Sequence, residues 1–127
     1  MYSARLLDHF QNPRNVGELP PPAVAVEVSN PACGDIMRLS VEFRDGRAVA
    51  ARYKTRGCTA SIAAGSVLTE LLIGKTVQEI AAVMPADVEK ALDGLANESK
   101  HAAVLAVDAT RAVIRAASQP RPPAPVH

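Results

Sequence analysis

Hydrophobic and polar side chains alternate along the first half of the chain. Residues 24–28 and 39–44 alternate apolar with small or polar residues, and a period of two is typical of strands with one buried face. Asp45-Gly46 is a strong signal for a tight turn, and residues 48–55 predict the strand that returns from it. The sequence therefore predicts a three-stranded antiparallel sheet that contains a hairpin.

Apolar residues recur at helical spacing in other parts of the chain. The predicted helices cover residues 1–10, 59–73, 77–92 and 100–117. Pro85 divides the third of these into two short helices, because proline cannot continue through a helix interior. Most helices follow the strands instead of alternating with them, and this order predicts an α+β fold and not a parallel βαβ fold.

Proline marks two segments outside the predicted helices and strands. Pro20-Pro21-Pro22 predicts a rigid, extended connector of the polyproline II type. The segment from Gln119 to His127 is rich in proline, so we expect it to be disordered. A chain of 127 residues is long enough for one domain. We therefore assign residues 1–118 to a single domain and residues 119–127 to a disordered tail.

Composition and charge narrow the classes of function. With 48% hydrophobic residues the chain is ordinary for a globular protein, and no stretch approaches the ~20 apolar residues of a membrane span. A net charge of +1 gives little electrostatic attraction to nucleic acid, and the few aromatic side chains leave little surface for base stacking. We expect a cytoplasmic protein that binds neither nucleic acid nor membrane. Six basic and two acidic residues from Arg38 to Arg56 fit either a solvated sheet face or a surface for an acidic partner.

Four residues with useful chemistry lie at turns and element ends. Cys33 and Asp35 belong to the predicted turn between the first two strands. Cys58 begins a helix, where unpaired N–H groups favour the thiolate that attacks sulfur or binds metal, and His101 lies in the first turn of the last helix. Both cysteines could equally be inert buried thiols, and a reducing cytosol argues against a disulfide between them. His9, on the short first helix, is interpreted as structural.

Three motifs give the chain a resemblance to a known family. They are DHFQNPRNVG at residues 8–17, NPACGDIM at residues 30–37 and RYKTRGC at residues 52–58. The chain resembles iron–sulfur cluster assembly scaffolds of the IscU/NifU N-terminal type from about residue 2 to residue 117. The resemblance implies a small three-stranded antiparallel sheet with helices packed on one face.

The resemblance also implies a set of metal ligands. In the family, three cysteines, an aspartate and a histidine bind zinc or a nascent cluster. Four of these positions match Cys33, Asp35, Cys58 and His101, and Ala102 stands in place of the third cysteine. In the family that cysteine is a key acceptor of sulfur, and alanine can neither carry a persulfide nor bind metal. The remaining donors suit tetrahedral Zn²⁺ or a [2Fe–2S] cluster. Any persulfide must form on Cys33 or Cys58, and we expect Cys58 to be the acceptor because it begins a helix.

The function implied by the resemblance is that of a scaffold or carrier, not an enzyme. It would bind a transient [2Fe–2S] cluster, or Zn²⁺ or Fe²⁺, with a cysteine desulfurase as sulfur donor and apoproteins as recipients. Residues 95–99 keep only the leucine of the family's chaperone-binding stretch, so we expect no docking to the dedicated Hsp70. The alternative is a degenerate scaffold paralogue that binds zinc or regulates the desulfurase without building clusters.

Overall fold

Three strands form one antiparallel sheet in the order β1-β2-β3. In the computed structural model, which describes residues 2–31 and 34–118, these are β1 (Val24–Asn30), β2 (Asp35–Arg44) and β3 (Arg47–Arg56). The predicted hairpin is confirmed. Its turn residues Asp45 and Gly46 have positive φ angles of 54° and 76°, the backbone conformation that asparagine, aspartate and glycine adopt most readily in such turns.

Five helices and one 3₁₀ turn complete the described part of the chain. They are α1 (Ala4–Gln11), α2 (Thr59–Leu72), α3 (Val77–Ala81), α4 (Pro85–Ala91), the 3₁₀ turn Asn97–Ser99 and α5 (Lys100–Ser118). The predicted division at Pro85 is confirmed, since this proline opens α4, where its missing N–H costs no hydrogen bond.

Helices α2 and α5 pack on one face of the sheet, and α1 packs on the outside of α2. The side chains of β2 that point toward the helices are Met37, Leu39 and Val41, each no more than 1% exposed. Among the intervening residues, Arg38 and Glu42 give the opposite sheet face charged side chains. Ser40 on that face is buried and accepts the Leu19 N–H at 3.0 Å. The α+β class and the one-sided packing are thus confirmed. None of the helices in residues 2–31 and 34–118 is both long and apolar enough to cross a bilayer.

The segment after α1 pairs with the outer edge of β3. Tyr53 N–H donates to the Asn15 carbonyl at 3.0 Å, and Gly17 N–H donates to the Tyr53 carbonyl at 2.9 Å. The Tyr53 ring lies against α2, where a Cβ at Gly65 would stand 2.3 Å from a ring carbon. Only glycine at this position lets α2 approach the sheet so closely.

Two predictions about proline segments have different outcomes. The prediction of an extended connector at Pro20–Pro22 is wrong. Ala23 N–H donates to the Pro20 carbonyl at 3.1 Å and closes a tight turn, which contains a cis Pro21–Pro22 peptide bond. A run of prolines does not fix the isomer of its peptide bonds, and only the trans form extends the chain. The predicted disordered tail at residues 119–127 lies outside the described residues, as do Met1, Ala32 and Cys33.

Candidate metal centre

Three of the four candidate ligands lie together at one end of the sheet. Asp35 is the first residue of β2, Cys58 is the N-cap of α2, and His101 is the second residue of α5. Because β2 and β3 are antiparallel, the start of β2 lies beside the end of β3, and Cys58 follows that end by two residues. Cys33 lies in the connection between β1 and β2, outside the described residues, so its role as a ligand stays a prediction.

The three ligand atoms form a small triangle. Cys58 Sγ lies 3.4 Å from Asp35 Oδ2 and 3.6 Å from His101 Nε2. The third side, from His101 Nε2 to Asp35 Oδ2, measures 3.4 Å. One thiol, one carboxylate oxygen and one imidazole nitrogen therefore converge on a single point of the molecule.

These distances fit a tetrahedral metal ion. Bonds of about 2.0–2.2 Å to nitrogen or oxygen and about 2.3 Å to sulfur place the ligands of tetrahedral zinc roughly 3.3–3.6 Å apart. The three sides of the triangle, 3.4, 3.4 and 3.6 Å, lie in that range. The residues present thus fit one face of a zinc tetrahedron, and thiolate and imidazole are also the ligands that proteins offer to iron–sulfur clusters.

The carboxylate of Asp35 is the most enclosed member of the site. It is 5% exposed, and its Oδ2 accepts a hydrogen bond from the Ser61 hydroxyl at 2.5 Å. Burial alone would raise the pKa of this carboxyl, but the bonds from Ser61 and from the Cys58 thiol and backbone N–H outweigh it and lower the pKa below its usual value. Asp35 is therefore a carboxylate, the form that binds metal.

The other two candidate ligands are more accessible. Cys58 is half-buried, and the side chain of His101 is 29% exposed against 7% for Asp35. A metal ion or a partner can therefore approach from the side of Cys58 and His101, while Asp35 supports the site from beneath.

Sequence reasoning missed two residues of this site. Ser61 Oγ lies 3.3 Å from Cys58 Sγ in addition to its bond with Asp35, and a serine three residues into a helix shares the face of the N-cap residue. Gly57 packs on the carboxylate, because a Cβ there would lie 2.6 Å from Asp35 Cγ. The spacing Gly-Cys-x-x-Ser at a helix start was the available signal.

His9 is structural, as its position on a short helix predicted. It is 3% exposed, and its Nδ1 lies 2.7 Å from Ser66 Oγ. Since Ser66 Oγ already accepts the Arg14 N–H at 2.9 Å, the hydroxyl can donate its own hydrogen to Nδ1. The opposite nitrogen, Nε2, faces Glu70 at 3.4 Å. Burial lowers the pKa of His9, and the charge of Arg14 acts in the same direction.

Ala102 stands beside the site without joining it. It follows His101 on α5 and is 0% exposed, as part of the hydrophobic core. The position where the resemblance implies a third cysteine is therefore filled here by a methyl group packed against other apolar side chains.

Comparisons with curated proteins place the chain among cluster assembly proteins. The family model for the NifU-like N-terminal domain matches residues 1–120. The chain is 41% identical over 114 residues to iron–sulfur cluster assembly scaffold protein IscU 1 of Archaeoglobus fulgidus, covering 90% of this chain and 74% of that protein. It is 38% identical over 124 residues to the scaffold protein IscU of Rickettsia prowazekii, covering 94% of each chain.

Solved structures share the architecture. The N-terminal domain of a NifU-like protein from Brucella abortus matches with a TM-score of 0.61 at 24% identity, covering 91% of this chain and 82% of that one. A crystal structure described as a hypothetical protein matches with a TM-score of 0.65 at 27% identity, covering 91% of this chain and 96% of that one. The chain belongs to the family of NifU-like N-terminal domains.

Proposed function

We propose that this protein is an assembly scaffold that binds a transient [2Fe–2S] cluster, with Zn²⁺ or Fe²⁺ as simpler occupants of the same site. The observation that carries the proposal is the triangle of Asp35 Oδ2, Cys58 Sγ and His101 Nε2, with sides of 3.4–3.6 Å. Membership of a family whose members are named cluster assembly scaffolds supports it. Cys33, two residues before Asp35, is the proposed fourth ligand.

The mixed donor set suits temporary binding. Thiolate and imidazole are good ligands for iron, whereas a carboxylate is a harder ligand that prefers other metals. A cluster held partly by Asp35 would therefore be more labile than one held by four thiolates. The exposed side of Cys58 and His101 gives a recipient apoprotein access to the cluster, and easy release is what a scaffold requires.

Sulfur would enter through Cys58. The Cys58 thiolate attacks the outer sulfur of a persulfide on the partner desulfurase, a new S–S bond forms on Cys58, and the desulfurase cysteine leaves as a thiolate. His101 Nε2, 3.6 Å from Sγ, can take the thiol proton before the attack. Reduction of the transferred sulfur to sulfide needs two electrons from an added thiol reductant or an electron-transfer protein.

The test is anaerobic reconstitution. The purified protein is mixed with a cysteine desulfurase, cysteine, Fe²⁺ and dithiothreitol, and the visible spectrum is recorded with iron and sulfide per chain. Sulfur-to-iron charge-transfer bands with bound iron and sulfide are expected. A colourless protein without bound sulfide would contradict the proposal.

A Cys58→Ser variant tests the acceptor. We expect it to lose both the persulfide, detected by mass spectrometry as one added sulfur, and the cluster. The matched control is Cys33→Ser, which removes the other thiol and should lose the cluster but keep the persulfide. Retention of the persulfide by Cys58→Ser would assign the acceptor to Cys33 instead.

Ala102 favours a second candidate function. With no thiol at this fully buried position, the protein would bind zinc and occupy the desulfurase without building clusters. The same reconstitution separates the two functions, because this candidate predicts a colourless protein with one tightly bound zinc. An Ala102→Cys variant that then gains a cluster would identify the missing thiol as the cause.

A further inference from the structure

We propose that Ser61 is a positioning residue that holds Asp35 as a one-oxygen ligand and thereby sets the metal affinity of the site. The inference rests on the proposed metal-binding function and adds a residue outside the set of ligands. It starts from the contact between Ser61 Oγ and Asp35 Oδ2 at 2.5 Å, made by a serine that is 0% exposed.

The hydrogen bond acts on the oxygen that belongs to the ligand triangle. Asp35 Oδ2 is the oxygen that lies 3.4 Å from both Cys58 Sγ and His101 Nε2. A carboxylate oxygen has two lone pairs. One lone pair accepts the Ser61 hydroxyl. The other faces the Cys58 thiol at 3.4 Å and would be available to a metal ion once that thiol has lost its proton.

The opposite side of the carboxylate is also fixed. A Cβ at Gly57 would lie 2.7 Å from Asp35 Oδ1 and 2.6 Å from Cγ, so Oδ1 lies close against the backbone at Gly57. The carboxylate is therefore enclosed between the Gly57 backbone and the Ser61 hydroxyl. Rotation that would bring both oxygens toward the metal is opposed from both sides.

Burial makes the role of Ser61 specific. Since Ser61 is fully enclosed, solvent has no direct access to the place of its hydroxyl. Its other neighbour at the site is Cys58 Sγ at 3.3 Å, so the hydroxyl lies between two ligand atoms. Hydrogen-bonding partners of metal ligands fix ligand orientation, and their removal typically costs about 10–100-fold in metal affinity.

The experiment uses Co²⁺ as a spectroscopic substitute for zinc and a zinc competition titration with a chromophoric chelator. In the Ser61→Ala variant we expect zinc affinity to fall by about 10–100-fold. The intense visible bands of tetrahedral Co²⁺ should weaken, because a freed carboxylate can bind through both oxygens and raise the coordination number. The matched control is Ser66→Ala, an equally buried serine on the same helix that contacts His9 and not the site.

A double-mutant cycle with Asp35→Asn separates positioning from a general structural effect. If Ser61 acts through the carboxylate, Ser61→Ala should add little further loss of zinc affinity in the Asp35→Asn background. An equal loss in both backgrounds would overturn the inference, as would wild-type affinity in Ser61→Ala. Failure of the unsubstituted protein to bind Co²⁺ would instead overturn the proposed function and the inference together. Ser61→Thr retains the hydroxyl and should keep most of the affinity, which guards against misfolding of the alanine variant.

Discussion

Two buried serines on α2 each belong to a cluster that contains a histidine. One cluster is the candidate metal site, and the other is a structural contact between α1 and α2. Near the start of the helix, Ser61 bonds Asp35, and that carboxylate faces His101 across 3.4 Å. Further along the same helix, Ser66 bonds His9 directly at 2.7 Å. Both serines are 0% exposed, so the contrast arises from what surrounds them.

Access and ligand type make the difference. The His101 side chain is 29% exposed and shares its surroundings with a thiol and a carboxylate, whereas the His9 side chain is 4% exposed and each of its nitrogens faces a protein oxygen. One histidine is available to a metal ion, and the other joins α1 to α2. Residue type alone therefore does not identify a candidate ligand. The histidine that is a candidate lies beside other donor atoms and is partly exposed to solvent.

The largest expected effect comes from replacing each histidine with alanine. His101→Ala removes a proposed ligand, so zinc affinity should fall by more than the roughly 100-fold that loss of a supporting partner can cost, with little change in the stability of the metal-free protein. His9→Ala leaves the hydrogen of the buried Ser66 hydroxyl without its acceptor, which should cost about 1–3 kcal/mol of unfolding free energy, with zinc affinity unchanged. Zinc competition and urea unfolding measure the two quantities. Loss of zinc binding in folded His9→Ala would contradict the comparison.

Substitutions at two glycines should separate the candidate site from the core in the same way, with a smaller effect on zinc affinity than His101→Ala. A Cβ at Gly65 would lie 2.3 Å from the Tyr53 ring, and one at Gly57 would lie 2.6 Å from Asp35 Cγ. Gly65→Ala should overpack the core and cost about 1–3 kcal/mol of stability. Gly57→Ala should displace the carboxylate and weaken zinc binding about 10–100-fold. Equal zinc affinities in the two variants would show that Gly57 does not support the site.

The smallest expected effect is a pH dependence of stability from His9. Its folded-state pKa lies below the ordinary 6.5, so the unfolded chain binds the proton more readily. The contribution of neutral His9 is complete above pH 6.5 and is lost as the pH falls from 6.5 through the lowered value. The charged groups around it are Arg5, Asp8, Arg14 and Glu70. Urea unfolding at several pH values should show a shallower decline for His9→Gln, and an unchanged slope would exclude His9 as the cause.

Local patterns predicted the helices and the hairpin well, but not the start of β2. The alternation at residues 39–44 predicted a strand there, whereas the structure begins β2 at Asp35. A buried aspartate at a core-facing position breaks the apolar pattern, so these residues were interpreted as a turn. This break coincides with the candidate site, where chemistry takes the place of an apolar side chain.

The candidate site could be predicted only as a set of separate residues. Asp35, Cys58 and His101 were named from the sequence, and the structure brings them together. The support from Ser61 was missed because a serine early in a helix is common and its partner lies 26 residues away in the chain. The spacing Gly-Cys-x-x-Ser places Ser61 beside Cys58, but its contact with Asp35 depends on how β2 and α2 meet, which no local pattern encodes.

The pairing of the segment after α1 with Tyr53 affects how copies of the protein behave when crowded together. An edge strand with free N–H and C=O groups can recruit a strand from another chain and begin aggregation. Here Asn15 and Gly17 occupy both backbone groups of Tyr53 on the outer edge, and the exposed cations Arg52 and Lys54 flank that position. A strand of a second molecule therefore cannot pair with β3 at Tyr53. We expect the segment to reduce aggregation in this way, with or without a metal ion in the site.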